Sequence, residues 1–233
     1  MSEQIASTQS ITKRDALKNL WDEISSRPLY APPNFFRFLK LKVKTKTTFM
    51  SSKNLKIIAP KWKVNDCQSC TDICCIGSKS KVLLRLEDIA TLMDIGRTDL
   101  IDCNFDVIPT DSPEMHRYVH SAAWSIFPKL HQNQYHACQA LSPEGKCSIY
   151  PHWPQSCARF PYSLDPNQQE FFYSSRCNSF WIRPDKDQEV KAMTIGAVAS
   201  YNHLIKDQIL LSYASVALRT LGFTQFLNET KIG

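Results

Sequence analysis

Four cysteines fall within nine residues, between Cys67 and Cys75, in the order C-x-x-C-x-x-x-C-C. Thiols at this density serve as a disulfide staple, a metal site or a redox-active group. A chain of 233 residues, of which 43% are hydrophobic, can bury a core without staples. Residues 1–17 contain no apolar signal core, and no run of membrane-spanning length follows. We therefore predict a cytoplasmic protein, in which clustered cysteines more often bind metal or catalyse than form disulfides.

The spacing inside the cluster indicates how many metal ions it serves. A C-x-x-C turn can direct the sulfurs of Cys67 and Cys70 at one ion. Cys74 follows Cys70 by one helical turn and can join the same site. Cys75 projects in a different direction from its neighbour, since adjacent side chains diverge. The adjacent pair predicts either a second metal or one enlarged cluster.

Five more cysteines are scattered along the rest of the chain, at Cys103, Cys138, Cys147, Cys157 and Cys177. Their spacing is too wide for a zinc ribbon, which would repeat C-x-x-C. The run C-x-x-C-x-x-C-x-x-x-C-P of bacterial ferredoxins is absent. So is the C-x-x-x-C-x-x-C of radical enzymes, because Gly77 occupies the position of its third cysteine. A site shared between distant segments remains.

Several stretches together resemble a known family. They are CQSCTDICC, the CQAL that begins at Cys138, the CSIYPHWPQSCARFP that begins at Cys147, and finally Cys177. This arrangement resembles the YkgJ-type cysteine-cluster family, described as a zinc- or iron-chelating domain, over residues 64–181. Two positions depart from the family pattern, because Trp153 and Ala158 stand where it has arginine. The resemblance implies that an iron–sulfur cluster or iron, or alternatively zinc, is held by Cys67, Cys70, Cys74, Cys75, Cys138, Cys147, Cys157 and Cys177.

The charge of eight thiolates favours more than one metal ion. Around a single divalent ion they would leave a large negative charge, which is costly in a partly buried site. Cations near the cysteines in sequence could offset part of it: Lys63, Lys79, Arg159 and Arg176. Apolar residues could form a water-excluding environment around the metal site: Ile73, Ile76, Ile149, Trp153 and Phe160. Tyr150 is also expected in the core, Cys103 is interpreted as a packed cysteine, and His136 and His152 are interpreted as surface histidines.

The periodicity of apolar residues predicts an α+β fold, in which a small irregular cysteine-bearing unit with short strands lies between helices. An N-terminal helix is predicted over 12–26, with Thr12 and Asp15 as its capping pair, and a short one from residue 86 to its end at Gly96. Another short helix is predicted over 98–101. A helical pair is predicted between 187 and 221, with apolar stripes that pack on the core and include Val216. A hairpin is predicted over 125–141 around residues 132–133, a turn over 142–145 and a strand over 171–173. The aspartates between Asp88 and Asp106 are interpreted as a solvated face. These elements divide the chain into a basic extension (1–60), a metal-binding domain (64–181) and C-terminal helices (185–225).

The basic residues are concentrated at the N-terminus. Residues 1–66 hold 13 Lys and Arg against 5 Asp and Glu, a net charge of +8, whereas the remainder carries −2. Within them the segment KLKVKTKTTF alternates basic with apolar or hydroxyl residues, as a half-solvated strand or a flexible arm does. Such an extension could bind a protein partner or an acidic surface, and nucleic acid is a weaker alternative.

Three functions are compatible with these features. The first is an iron–sulfur or polynuclear iron protein with a redox or group-transfer role. The second is a structural zinc module that mediates interactions with protein or nucleic acid. The third is a protein lysine N-methyltransferase, because some members of the family are similar to flagellin lysine N-methylase, although no methyl-donor site is recognisable. A Rossmann or P-loop nucleotide site is disfavoured, since neither glycine motif occurs.

Overall fold

The regular secondary structure is mainly helical, and the strands are short. This computed structural model describes residues 11–26, 36, 39–40, 42–43, 49–51, 56–58, 75–76, 82–105, 126–160, 162–165, 170–173 and 187–229. The helices are α1 (Lys13–Ser26), α2 (Leu86–Asp94), α3 (Gln155–Arg159), α4 (Asp187–Tyr213) and α5 (Ser215–Thr220). The strands are β1 (Lys56–Ile58), β2 (Ile101–Asp102), β3 (Lys129–Leu130), β4 (Tyr162–Asp165) and β5 (Glu170–Tyr173).

The strands form two small sheets. In the first, β5 lies between β1, to which it is parallel, and β4, to which it is antiparallel. In the second, β2 and β3 pair antiparallel, with Ile101 opposite Leu130. The predicted α+β class is confirmed, with an N-terminal helix, short strands in the middle and a C-terminal helical pair.

The start of α1 is fixed by two sets of side-chain contacts. Thr12 Oγ1 accepts a hydrogen bond from the Asp15 N–H at 3.1 Å and donates to Asp15 Oδ2 at 2.8 Å, which confirms the predicted capping pair. The Asp94 carboxylate accepts from the N–H groups of Lys13, at 2.6 Å, and Arg14, at 3.1 Å. These contacts satisfy amides that would otherwise lack a partner, and they attach the N-terminal end of α1 to the C-terminal end of α2.

Helix α2 has the length and the apolar face that the periodicity predicts. Leu86, Ile89 and Leu92 are buried along one side. The chain leaves the helix at Gly96, whose φ of +69° lies in the left-handed region that glycine adopts without strain. The short helix predicted after it is present as a single 3-10 turn over Thr98–Leu100, and Ile101 already belongs to β2.

The C-terminal pair α4 and α5 supplies a large part of the core, including Leu204 and Leu218. The predicted apolar stripe does not continue unchanged between the two helices. Ala214, with φ of −132°, interrupts the helical path and changes the phase of the following residues. Val216 is therefore 77% exposed, and its predicted core position is wrong. Gly222 ends the pair with φ of +84°.

The predicted hairpin of the middle region is present, with a displaced tip. Gln132 pairs with Cys138, and the Gln139 N–H donates to the His131 carbonyl at 2.9 Å. The tip covers 133–137 because Asn133 Oδ1 accepts from two backbone amides within it. The turn predicted at 142–145 is confirmed by a 2.9 Å bond from the Gly145 N–H to the Ser142 carbonyl.

The basic segment differs from its prediction. Residues 39–40 and 42–43 are helical, so the predicted strand is wrong there. Leu and Lys are good helix formers, and this propensity outweighs the short alternating pattern. Farther along, Phe49 stacks on Trp21 of α1 at 6.2 Å, and Asn202 of α4 bonds both backbone groups of Met50.

None of the helices in the described part of the chain combines the length and the apolar character needed to cross a bilayer.

Candidate metal centre

The structure describes four of the eight predicted metal ligands. Cys75, Cys138, Cys147 and Cys157 are half-buried thiols that take no part in disulfides. The other four, Cys67, Cys70, Cys74 and Cys177, lie outside the described residues.

A backbone hydrogen bond joins the first cysteine cluster to the second cysteine segment. The Cys138 N–H donates to the Cys75 carbonyl at 2.8 Å, and Ile76 pairs antiparallel with Ala137 next to it. This bond brings the end of CQSCTDICC against a cysteine that lies far away in sequence. A metal site shared between distant segments requires contacts of this kind.

Cys147 belongs to the same small backbone network. It pairs antiparallel with Leu141, whose N–H donates to the Cys138 carbonyl at 3.0 Å. A further bond, from the Ser148 N–H to the Ala140 carbonyl at 2.8 Å, closes the loop between the two strands. Cys138 and Cys147 both pack against the hydrophobic core. Backbone bonds therefore connect the segments that carry Cys75, Cys138 and Cys147, and the latter two lie at the edge of that core.

Cys157 is carried by the five-residue helix α3, which is attached to the acidic start of α2. The Gln155 N–H donates to Asp88 Oδ1 at 2.9 Å, and Gln155 Nε2 donates to Glu87 Oε2 at 2.7 Å. Glu87 also lies 2.7 Å from His203 Nδ1 of α4 and 3.1 Å from Arg14 Nη2 of α1. The bond with His203, followed by the charges of His203 and Arg14, lowers the pKa of Glu87 to about 2.

Beneath α3 lies a buried cluster of charges that the sequence interpretation missed. Arg85, Asp88 and Asp207 are each less than 9% exposed. Asp88 was expected on a solvated face, and this expectation is wrong, because its carboxylate turns inward to accept backbone amides. Burial raises the pKa of Asp207 to about 7 despite the attraction of Arg85. Burial also raises the pKa of Asp88 and lowers that of Arg85.

Four of the predicted thiolate ligands lie among the described residues, and they do not form a complete metal site by themselves. Within the described part of the chain, no three potential ligands from Cys, His, Asp and Glu lie close enough together to hold a metal ion. The donor chemistry fits zinc or iron, since reduced, half-buried thiols on converging strands are the ligands that both metals accept. Completion of the site would fall to the cysteines outside the described ranges.

Comparison with known families agrees with this chemistry. The family model CxxCxxCC, described as a zinc- or iron-chelating domain, matches residues 66–202, which is more than half of the chain. The chain belongs to the CxxCxxCC family. The match begins just before Cys67 and ends inside α4, beyond the end of the resemblance at residue 181. Neither the curated proteins nor the solved structures contain a match to the chain.

The two positions at which the CxxCxxCC pattern has arginine are both at the surface here. Trp153 is 43% exposed, with its ring edge-to-face against Tyr150 at 4.9 Å. Ala158 is exposed as well. The next residue, Arg159, turns toward the protein, where its Nε donates to the Gln155 carbonyl at 3.1 Å. Burial, and then the neighbouring charge of Arg85, lowers the pKa of Arg159 to about 10.

A different arginine lies beside Cys147. Arg97 is held by Asp99 through bonds of 3.0 and 3.2 Å, and its Nη1 donates to Ser148 Oγ at 3.3 Å. Asp99 raises the pKa of Arg97, and the Cys147 thiolate raises it further. No motif connects residue 97 with the cysteine segments, so sequence reasoning had no signal by which to find this cation.

The predicted water-excluding environment of the cysteines is only partly present. Ile149 is buried and Phe160 half-buried, as expected. Ile76 is 49% exposed and Tyr150 is 65% exposed, so both are wrongly placed by the prediction, as is Trp153. They lie in irregular segments, where apolar character alone does not determine burial. The positions of Ile73, Lys63, Lys79 and Arg176 lie outside the described residues.

The sequence interpretation also covered two histidines and one further cysteine. His136 and His152 are exposed, as interpreted from the sequence. Cys103 is exposed rather than packed, with its Sγ 3.9 Å from the Phe226 carbonyl, so its prediction as a core residue is wrong. Partial desolvation of the thiol by neighbouring atoms, and then the charge of Asp102, raises the pKa of Cys103.

Proposed function

We propose that the chain holds a thiolate-bound iron centre, either an iron–sulfur cluster or a polynuclear iron site, with a redox or group-transfer role. The observation that carries this proposal is the 2.8 Å bond between the Cys138 N–H and the Cys75 carbonyl. It supports a single site to which CQSCTDICC and the later cysteines both contribute. The ligands would be Cys67, Cys70, Cys74, Cys75, Cys138, Cys147, Cys157 and Cys177.

Charge supports a cluster rather than one ion. Eight thiolates at one divalent ion would leave an excess negative charge in a half-buried place, whereas several metal ions would distribute it. The Arg97 guanidinium, which Asp99 and Ser148 hold beside Cys147, would offset part of the remainder. A thiolate-bound iron cluster, once bound, would supply electron transfer or an open iron position.

The test is metal analysis with an optical spectrum, on full-length protein purified without oxygen. We expect a brown protein with iron, and with absorption in the region typical of thiolate-to-iron charge transfer. Cys138→Ser should lose most of the iron. Cys103→Ser is the matched control and should keep it, because Cys103 is exposed and lies outside the family pattern. A colourless wild-type protein with full zinc occupancy would exclude the iron proposal.

A structural zinc site is the second candidate, and the packing of the cysteine segment favours it. Between residues 131 and 160, only Ala140, Ile149 and Pro154 are buried. A segment with so little apolar contact needs another source of stability, which zinc bound by cysteines provides. In this case chelation should destabilise the segment, and the basic extension would be the part that binds a partner.

Deletion of residues 1–60 separates the role of the extension from that of the metal. Loss of partner binding with unchanged metal content would support the zinc module, and retained partner binding would count against it. Helix α1 packs on the core, so the thermal midpoint of the truncated protein must be measured first. Lysine N-methyltransfer stays a prediction, and titration with S-adenosylmethionine tests it: a protein that does not bind the methyl donor cannot use it.

A further inference from the structure

Helix α3 is too short and too exposed to be held in place by packing. It has five residues, Gln155–Arg159, and none of them is buried. An isolated helix of this length is unstable in water, so contacts with the rest of the protein must fix its position. The position matters because α3 carries Cys157.

Helix α3 is held from both α4 and α2. Gln155 Nε2 lies 2.8 Å from His203 Nδ1 of α4, and two consecutive acidic residues of α2 bond Gln155 as well. Asp88 is 4% exposed, and its two carboxylate oxygens have different partners. Oδ2 accepts from the Arg85 N–H at 2.8 Å, at the start of α2, and Oδ1 accepts from the Gln155 N–H at 2.9 Å, at the start of α3. Glu87 accepts from Gln155 Nε2. A single buried carboxylate thus connects the first turns of two helices.

Burial of the Asp88 carboxylate is energetically unfavourable, so another interaction must compensate for its cost. A buried carboxylate costs several kcal/mol in solvation, and an apolar side chain of similar volume would often be less costly. Bonds from two backbone amides recover part of this cost, because hydrogen bonds to a charged acceptor are stronger than neutral ones. Those bonds have a geometric consequence that an apolar residue would not reproduce, since they fix the backbone of Gln155 relative to α2.

We propose that Asp88 is the positioning residue for Cys157: its carboxylate fixes the N-terminal amide of α3 and so places the Cys157 thiol at the cysteine site. The role of Cys157 as a metal ligand rests on the proposed function. The placement of Cys157 by Asp88 does not, and it can be measured in metal-free protein.

The experiment compares Asp88→Asn with Asp207→Asn. An asparagine has one oxygen acceptor and one N–H donor group, so at position 88 it can satisfy only one of the two amides. Asp207 is the matched control, since it is buried to the same extent and also accepts a backbone amide, from Leu86, but that amide belongs to α2. Gln155→Ala is a milder second variant, which keeps the amide bond to Asp88 and removes the side-chain contacts with Glu87 and His203.

The readout is the rate of alkylation by iodoacetamide of each thiol in reduced, metal-free, full-length protein, well below the thermal midpoint. Peptide mapping resolves Cys157 from Cys147. We expect Asp88→Asn to raise the ratio of the Cys157 rate to the Cys147 rate by roughly tenfold, which corresponds to about 1.4 kcal/mol of local opening. Asp207→Asn should leave the ratio unchanged, and Gln155→Ala should raise it less. In metal-loaded protein, Asp88→Asn should also release metal to a chelator faster than Asp207→Asn.

Each outcome decides one question. An unchanged ratio in Asp88→Asn, or an equal increase at both thiols, would overturn the positioning role, because general destabilisation affects Cys147 as well. If Asp88→Asn does not fold, Gln155→Pro decides, because proline removes the N–H that Asp88 accepts and suits the first position of a helix. An increase no larger than that in Gln155→Ala would overturn the proposal. A wild-type protein that takes up neither iron nor zinc would refute the proposed function, while the alkylation ratio would still test the placement.

Discussion

Replacement of Asp207 by asparagine should make the protein more stable in neutral and alkaline solution. Asp207 is 4% exposed, and its Oδ2 accepts from the Leu86 N–H at 3.3 Å. Burial raises its pKa to about 7, and the charges of Arg85 and His203 only partly oppose this increase, while Asp88 adds to it. The carboxyl group therefore keeps its proton in the folded protein at pH values where the unfolded chain has released it.

The sign of the pH dependence follows from the proton count. Between about pH 4 and pH 7 the folded state binds more protons at this group than the unfolded state, so the free energy of unfolding falls as pH rises. A difference of about 3 pKa units, at 1.36 kcal/mol per unit, gives a loss of at most about 4 kcal/mol above pH 7. Asparagine is neutral throughout, and its oxygen can still accept from Leu86. We expect Asp207→Asn to match the wild type within about 1 kcal/mol at pH 4 and to exceed it by up to about 4 kcal/mol at pH 8.

Urea denaturation at pH 4, 5, 6, 7 and 8, with wild type and variant in the same metal state, measures this difference. Asp22→Asn serves as a control for the loss of one negative charge, because Asp22 is exposed on α1. Parallel stability curves for wild type and Asp207→Asn would refute the reasoning. So would a variant that is less stable at pH 8, since that result would mean that ionised Asp207 stabilises the fold through Arg85.

Three further substitutions test other parts of the structure. Glu87→Gln should lower the free energy of unfolding by about 1–2 kcal/mol above pH 4.5, after allowance for solvent screening of a side chain 31% exposed. The wild type loses this stability as pH falls toward 2, so urea denaturation curves of wild type and variant should differ at pH 5 and converge at pH 2.5. Phe127→Ala, at a site 1% exposed, should lower the free energy of unfolding by about 3–5 kcal/mol in urea denaturation, and a loss below 1 kcal/mol would contradict its place in the core. Asn202→Ala removes both bonds to Met50 and should cost about 1–2 kcal/mol, with faster limited proteolysis near residue 50; an unchanged cleavage rate would contradict it.

Helices with a strong apolar period were predictable, and so were turns with a specific residue requirement. The start of α1 at Thr12, the end of α2 at Gly96 and the turn at Gly145 each follow from local chemistry that needs no knowledge of the fold. The side chains around the cysteines were not predictable in this way. Tyr150 and Trp153 lie in an irregular segment, where no period indicates which residues face inward.

The positions of the buried acids Asp88 and Asp207 within their helices carry a sequence signal. Asp207 lies on the stripe of α4 formed by Ser200, Leu204 and Leu211, all of which are buried, so its spacing places it on the inner face. Asp88 stands three residues after Arg85, at the N3 position of a helix whose start was predicted. Asp88 is interpreted as solvated from its type, although its N3 position indicates a capping bond to the Arg85 N–H, and the sequence interpretation gives Asp207 no role.

The two halves of the structure differ in what stabilises them. Leu17 of α1, Ile89 of α2, Leu204 of α4 and Leu218 of α5 all belong to one hydrophobic core, which needs no metal to account for its stability. The cysteine-bearing residues 131–160 attach to that core through backbone bonds, the carboxylates of α2 and few apolar contacts. Bound metal would therefore stabilise chiefly this second part. We expect chelation to lower the local stability of residues 131–160, which stay attached to the core through these bonds, so that hydrogen exchange accelerates there and not in α2, although α2 lies within the matched family domain. Exchange that accelerates equally in both would show that the metal holds the whole fold together.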